Sequence, residues 1–227
     1  DEGWLGGLQE AIAQNPDARA ITGLVLPFEL ETDAQVKFEF RGGFRRGFAK
    51  RRYRGPLLPG NSLYPAGAGM FGAGANMVLH RQTVLDLGGF DEALDTGPPL
   101  PGGGDLDIFF RVVRAGEALV YEPRMLVWHK HRREHRQLRR QYWTWGTGLM
   151  AYMTKTHRTD PPERAKLRDL RRWWILNELR LLKQSLKDRD EMPPDLVLAE
   201  LVGGVVGMAG TYARSHRRTE RIKAAHR

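Results

Sequence analysis

The 227-residue chain contains no cysteine. A disulfide framework, a thiolate zinc site and a cysteine nucleophile are therefore all excluded. Acidic residues are also relatively few, because 36 lysine and arginine residues stand against 27 aspartate and glutamate residues, which gives a formal net charge of +9. This excess of positive charge favours a polyanionic partner such as nucleotide phosphates, nucleic acid or an anionic membrane surface.

Long apolar runs are scarce as well, and a membrane-spanning helix needs about 20 consecutive apolar residues. The longest uncharged segment, Gly55 to Leu79, contains three prolines and six glycines and is unsuited to an unbroken helix. A second candidate, Leu201 to Ala213, is too short and is flanked by Glu200 and Arg214. The sequence therefore predicts no membrane span, although contact with a membrane surface stays open.

The composition, 41% hydrophobic and 28% charged, is typical of a folded globular protein. Over roughly the first 130 residues, helix-like and strand-like patterns alternate, which indicates an α/β architecture. From His129 onward the chain becomes basic and then helical, so two domains are expected, residues 1–130 and 131–227. The pattern predicts helices over 3–15, 32–48, 82–86 and 105–115 and strands over 20–26, 74–79, 118–121 and 125–128.

The C-terminal part is expected to be a helical extension. Residues 163–188 predict a long arginine-rich amphipathic helix, and residues 194–213 are apolar with many small side chains. Trp173, Trp174, Ile175 and Leu176 beside arginines 168, 171 and 172 fit a helix that lies on a membrane surface. Ordinary packing of this helix within the protein fits the same pattern equally well.

The strongest local signal for chemistry is the glycine triplet that precedes Asp105 at the start of a predicted helix. Aspartate is a preferred helix N-cap residue, so Asp105 has a purely structural interpretation. A carboxylate at a helix N-terminus also stays ionised and can accept a proton, which supports a catalytic interpretation. Asp107 is expected to form a surface ion pair with Arg111, four residues further along the helix.

A second signal is the pair His129 and His131, which directly follows a predicted strand. Alternate residues of an extended segment point the same way, so the two imidazoles can share a face and bind a metal. Solvated loop histidines are the alternative. The surrounding cations suit phosphate binding, and the aromatic residues that come after them also fit nucleic acid or a membrane surface. These cations are Lys130, Arg132, Arg133, Arg136, Arg139 and Arg140.

Several motifs, in their order along the chain, resemble the acceptor-side half of a family-2 inverting glycosyltransferase with the GT-A fold. The resemblance covers roughly residues 1–155 and implies a partial GT-A mixed α/β sheet. The segment Asp1 to Leu5 is similar to the stretch directly after the metal-binding Asp-x-Asp strand of that family. The motifs are Gly74-Ala75-Asn76-Met77, Gly88-Gly89-Phe90-Asp91-Glu92, Gly104-Asp105-Leu106-Asp107, Tyr121-Glu122-Pro123 and Trp128-His129-Lys130-His131-Arg132.

The resemblance implies that Asp105 is the general base. It would take the proton from an acceptor hydroxyl as that hydroxyl attacks the sugar of a nucleotide-diphosphate donor. His129 matches a position that helps to hold a divalent metal, Mn²⁺ or Mg²⁺, which would neutralise the diphosphate leaving group. Glycine stands at position 104, where the family has glutamate. The residues expected to bind substrate are Gly74, Ala75, Asn76, Gly103, Gly104 and Arg132.

No Asp-x-Asp motif follows a buried strand in this sequence. The resemblance therefore implies that the nucleotide-binding half and most metal ligands lie outside the chain, which alone would be inactive. A cytoplasmic enzyme, peripheral on the inner face of the membrane, is expected. The alternative is a non-catalytic basic module that binds nucleic acid or an anionic membrane, in which Asp105 only caps a helix. Nucleic acid is the weaker choice, because no recognition-helix, zinc-finger or RNA-recognition signature is present.

Overall fold

The structure, a computed structural model, describes residues 1–95, 97, 99–100 and 102–226. Thr96, Pro98 and Pro101, which belong to the glycine- and proline-rich segment before Asp105, lie outside the described residues. The chain divides into two compact units. The sheet unit comprises Asp1–Phe90 and Ile108–Arg133, and the helical unit comprises Asp91–Asp107 and Glu134–Arg227. The domain boundary at residue 130 stays a prediction.

The sheet unit contains a mixed four-stranded sheet with the strand order β2-β4-β1-β3. The two central strands, β1 and β4, are parallel, and each edge strand pairs antiparallel with its neighbour. Six consecutive buried residues in β1 fit a central strand that is covered on both faces. The α/β prediction is confirmed, and the sheet is consistent with part of a GT-A fold. The strands are β1 (Ala18–Pro27), β2 (Arg51–Tyr53), β3 (Met77–Leu79) and β4 (Ala118–His129).

Strand β4 corrects the prediction of two short strands separated by Glu122-Pro123. Its register with β1 shifts at one point, where Glu122 pairs with Gly23 but Leu126 pairs with Leu24. The intervening residues form a bulge, which accommodates a proline that has no amide hydrogen for the ladder. Strand β2 was not predicted at all, because it is three residues long and mostly exposed.

Three helices belong entirely to the sheet unit, and a fourth begins in the helical unit. Helix α2 is shorter than the predicted 32–48: Thr32 and Gln35 form a capping box at its start, and the chain turns at Gly42 and Gly43 after its end. Both glycines have positive φ angles, 110° and 51°, which a helix cannot contain. The helices are α1 (Trp4–Gln14), α2 (Asp33–Phe40), α3 (Arg81–Asp86) and α4 (Gly104–Arg114).

The helical unit confirms the expected helical C-terminal part. Glycines bring α5 and α7 close together, since a Cβ atom on Gly203 would lie 2.1 Å from the carbonyl oxygen of Trp143. Gly146 approaches the backbone of Glu200 equally closely, with a Cβ-to-oxygen distance of 2.1 Å. The helices are α5 (His135–Thr159), α6 (Arg164–Ser185), α7 (Pro194–Val206) and α8 (Tyr212–Ala225).

By length and composition alone, the helical stretch Pro194–Ala225 is apolar enough to cross a membrane, contrary to the sequence expectation. An 18-residue window of it has a mean hydropathy of 1.6, and 39% of that window is buried inside the structure. The helix is interrupted between α7 and α8, where Ala209 and Gly210 leave helical geometry. A core helix of a soluble protein meets the same criterion, so the finding by itself assigns no membrane span.

Candidate functional site

His129 is the last residue of β4, beside Pro27, the last residue of β1. Ligands of open α/β sheets bind beyond the carboxyl ends of parallel strands, so this edge is a suitable position for a binding residue. The amide of Phe28 donates to the carbonyl oxygen of His129 at 2.9 Å, which fixes the backbone at the strand end. His129 is half-buried, and its ring meets the ring of Phe44 edge-on at 5.0 Å between centroids.

A chain of side-chain contacts links His129 to helix α2. The Nδ1 atoms of His129 and His131 are 3.1 Å apart, and Nε2 of His131 is 2.9 Å from Oε1 of Glu39. His131 is buried, and its ring packs on Phe38 at 4.5 Å between centroids. Gly43 makes room for Glu39, because a Cβ atom there would lie 2.2 Å from Oε1. The two histidines do share a location, as their alternate spacing predicted.

This chain of contacts determines which nitrogen of each neutral imidazole carries a proton. The carboxylate of Glu39 is an acceptor, so Nε2 of His131 donates to it. A neutral His131 then has a lone pair on Nδ1, and Nδ1 of His129 must donate to that lone pair. His129 is left with a lone pair on Nε2, the form in which imidazole binds a metal or accepts a proton.

The surroundings of His129 keep it neutral. Burial lowers the pKa of His129, and the positive charge of Arg132 lowers it further. Within the described residues, however, no group of three or more His, Asp or Glu side chains is placed to hold a metal. His129 thus offers a metal one ligand, and the described residues place no complete set of ligands around it.

Asp105 lies in the helical unit, in the first turn of α4. The helix begins at Gly104, so the expectation that Asp105 is the N-cap is wrong. Instead, Oδ2 of Asp95 accepts a hydrogen bond from the amide of Gly104 at 2.6 Å. Asp105 itself is half-buried, and its Oδ1 is 2.9 Å from the amide of Leu106. The Asp105 carboxylate is therefore not committed to capping the first amide of the helix.

Asp95 is a carboxylate that the sequence motifs did not single out. It has a positive φ angle of 62°, an uncommon conformation for a residue other than glycine. Desolvation of its carboxyl group raises the pKa of Asp95, and the negative charge of Asp105 adds to the rise. A Cβ atom on Gly104 would lie 2.4 Å from Oδ2 of Asp95. Glycine at position 104 thus leaves room for a carboxylate from another part of the loop.

The glycines before Asp105 serve close packing against helix α5. A Cβ atom on Gly103 would lie 2.6 Å from the carbonyl oxygen of Gly148, and one on Gly148 would lie 2.8 Å from the carbonyl carbon of Gly102. Gly103 also has a positive φ angle of 99°. The start of α4 is therefore held against α5 within the helical unit, which gives the Asp105 backbone a fixed position.

Asp107 is buried, so the prediction of a surface ion pair is wrong. It contacts Nζ of Lys155 on α5, whose Nζ is also 3.5 Å from Oδ2 of Asp91. Tyr212 donates to the same Asp91 oxygen at 2.8 Å. Arg111, the predicted partner, donates to the carbonyl oxygens of Leu87 and Gly89 in the sheet unit. Asp107 accordingly stabilises the interior of the helical unit.

Gly74, Ala75 and Asn76 form a turn that leads into β3. Asn76 is buried, and its Nδ2 donates to the carbonyl oxygens of Leu24 and Met125 at 2.9 and 2.6 Å. Its Oδ1 accepts from Nε1 of Trp4 at 2.9 Å. Both amide hydrogens of Asn76 are thus used inside the sheet unit, which gives this residue a structural role.

The cations near His129 differ in their partners. Arg133 is paired with Glu29 and Glu31 at 2.5 and 2.8 Å, and Nζ of Lys130 lies 4.9 Å from the centre of the Phe28 ring. Arg132 is exposed and has no ion-pair partner among the described residues. Of Lys130, Arg132 and Arg133, Arg132 is therefore the one with a guanidinium available for an anion.

The sequence reasoning missed Glu39, Asp95 and Lys155. Glu39 is 92 residues from His131, and Lys155 is 48 residues from Asp107. The isolated sequence contains no signal for such long-range pairs. Asp95 had no such signal either, because it lies nine residues before the helix start, whereas the sequence preference for a capping aspartate applies to the residue directly before a helix.

An 81-residue segment of the chain is 33% identical to the pre-mycofactocin glycosyltransferase of Mycobacterium tuberculosis, in two strains. The segment covers 36% of this chain, and the chain spans about 15% of the length of these curated relatives. No protein-family model matches the chain, and no solved structure matches it. The similarity supports a relationship with glycosyltransferases at a coarse level.

Proposed function

We propose that this chain is the acceptor-side part of a family-2 inverting glycosyltransferase, which moves a sugar from a nucleotide-diphosphate donor to an acceptor hydroxyl. The observation that carries the proposal is the 33% identity over 81 residues to a glycosyltransferase. The mixed sheet, with His129 at the carboxyl edge of its parallel strands, is consistent with it. The nucleotide-binding half would come from outside this chain.

In the proposed reaction, the Asp105 carboxylate accepts the proton of the acceptor hydroxyl. The oxygen of that hydroxyl forms the new bond to the anomeric carbon, and the bond from that carbon to the diphosphate breaks. Asp105 suits this role because its carboxylate is half-buried and lies on a rigid helix start. Rigid positioning matters because a general base must lie within hydrogen-bond distance of the proton it removes.

Negative charge develops on the diphosphate as it leaves, and groups that stabilise this charge lower the barrier. A divalent metal, Mn²⁺ or Mg²⁺, would supply most of that stabilisation when bound. His129 offers it one ligand through Nε2. Arg132, exposed and close enough to lower the pKa of His129, would contact a phosphate oxygen through its guanidinium.

The proposed function is tested by an assay of the full-length protein with a panel of nucleotide-diphosphate sugars. The assay measures the release of nucleoside diphosphate. We expect release that depends on Mn²⁺ or Mg²⁺. His129→Ala should raise the Mn²⁺ concentration needed for half-maximal release at least about tenfold, since even indirect partners of a metal are worth that much. His226→Ala, which removes an exposed histidine that directly follows α8, is the control. If none of the donors releases nucleoside diphosphate, the protein is not such a transferase; an unchanged Mn²⁺ requirement in His129→Ala would make His129 a structural residue.

The tautomers can be measured independently of activity. In ¹⁵N-histidine correlation spectra of the chain at neutral pH, we expect His129 to be protonated on Nδ1 and His131 on Nε2. His80 is the internal reference, because its Nδ1 accepts from the Thr83 amide at 3.3 Å and its proton must be on Nε2. His131→Phe removes the acceptor and should shift His129 to the Nε2-protonated form. A wild-type His129 already protonated on Nε2 would contradict the assignment.

A further inference from the structure

A groove of about 630 Å³ lies between α5 and α7 in the helical unit. Its wall is mostly apolar, with Leu198 and Val202 of α7 and the indole of Trp143 of α5. Arg136, Arg139 and Arg140 of α5 line the same groove. Residues 136, 139, 140 and 143 are spaced three or four apart, so they share one face of α5. The groove therefore combines three cations with an apolar surface.

The three arginines are available for a ligand. All three side chains are exposed, and none has an ion-pair or hydrogen-bond partner within the described part of the chain. The carboxylate that also lines the groove, Asp195, is already bound, since its Oδ2 is 2.7 Å from Nε2 of His135. Guanidinium groups bind phosphate oxygens with paired hydrogen bonds, so an anionic phosphate group matches this cluster.

The apolar wall continues beyond the groove along α7. Leu198, Val202 and Val205 are 46%, 53% and 60% exposed. Their spacing of four and three residues places them on one helix face. A contiguous exposed apolar stripe beside cations is typical of a surface that contacts a membrane. A free phosphate or a nucleic-acid backbone has no apolar part that would cover this stripe.

We infer that this groove binds an anionic phospholipid at a bilayer surface. The phosphate of the lipid would contact the guanidinium groups of α5, and its acyl part would cover the apolar face of α7. Trp143, with an apolar ring and a polar N–H, suits the boundary between the two. This assigns the membrane contact to α5 and α7, and it is independent of the proposed catalytic residues.

Sedimentation of the chain with lipid vesicles tests the inference. We expect the chain to bind vesicles of phosphatidylcholine mixed equally with phosphatidylglycerol, and much less to pure phosphatidylcholine. Replacing Arg136, Arg139 and Arg140 with glutamine should weaken that binding roughly 100-fold, about fivefold for each cation near the surface. The matched control replaces Arg180, Arg217 and Arg221 with glutamine. These three are exposed arginines of the same unit, so the net charge changes equally.

A second pair of variants tests the apolar contact. Val202→Asp should lower vesicle binding, and Leu176→Asp, at a 56% exposed leucine of α6, should leave it unchanged. Circular dichroism confirms that each variant is folded. Stronger loss in Leu176→Asp would locate the contact on α6 and overturn the inference.

Three other results would also overturn it. The first is a failure of the chain to bind the mixed vesicles. The second is an equal loss of binding in both arginine triple variants, which would show a response to net charge alone. The third concerns inorganic phosphate or an oligonucleotide. If either one binds in competition with the vesicles, and Val202→Asp does not weaken its binding, the ligand is a free anion or nucleic acid.

Discussion

Asp105→Asn is expected to lower the turnover of sugar transfer about 10²–10⁴-fold, the usual contribution of a general base. Asparagine has nearly the shape of aspartate, and its Oδ1 can still accept the hydrogen bond from the amide of Leu106. It cannot accept the proton of a hydroxyl group at neutral pH. Initial rates of nucleoside diphosphate release by the full-length protein, at saturating donor and acceptor, measure the change in kcat separately from KM.

The matched control is Asp95→Asn, at the carboxylate that accepts from the Gly104 amide. The asparagine oxygen can keep that bond, so this variant should retain most of the turnover if Asp105 is the base. The reverse pattern, with near-normal turnover in Asp105→Asn and a large loss in Asp95→Asn, would transfer the role to Asp95. Normal turnover in both variants would exclude a catalytic carboxylate in this loop.

Lys155→Met is expected to destabilise the helical unit by about 3–5 kcal/mol. Methionine has a similar length but no charge, so the buried carboxylate of Asp107, 1% exposed, would lose its cation. Asp91 would lose the same partner. An uncompensated buried charge is costly because the low-dielectric interior does not solvate it. Denaturant unfolding followed by circular dichroism measures the change in the free energy of unfolding.

Lys223→Met is the control, since Lys223 makes an exposed ion pair with Glu92 at 3.0 Å in the same unit. Exposed pairs contribute about 0–1 kcal/mol, so this variant should unfold almost like the wild type. The double variant Asp107→Leu with Lys155→Met should recover part of the lost stability, because it removes both members of the buried pair. Equal stabilities of Lys155→Met and Lys223→Met would contradict a buried, energetically important pair.

Local sequence patterns predicted much of the fold. Helix α4 follows the spacing of Phe109, Phe110 and Val113, all three buried, and β1 follows a continuous apolar run. The errors arose where a local backbone feature interrupts such a pattern. The apolar spacing of α2 continues past Gly42 and Gly43, but their positive φ angles end the helix. The proline at position 123 indicated a break, but β4 absorbs it in a bulge and continues.

For the candidate site, too, the local features were predictable from the sequence, and the side-chain environment was not. The position of Asp105 at a helix start and the proximity of His129 to His131 depend on a few neighbouring residues, and the sequence predicted them. The role of Asp107 was predicted wrongly, because the helix periodicity shows which residues lie four apart but not which face is buried.

The sequence by itself determined the mixed α/β and helical architecture, the absence of cysteine chemistry and the positions of the two local signals around Asp105 and His129. Backbone preferences and apolar periodicity act over a few residues, so one sequence contains them in full. Only the tertiary structure decided that Glu39 orients His131, that Asp95 caps α4 and that Lys155 neutralises Asp107. These contacts join separate elements, and their partners depend on how strands pair and helices pack rather than on spacing along the chain.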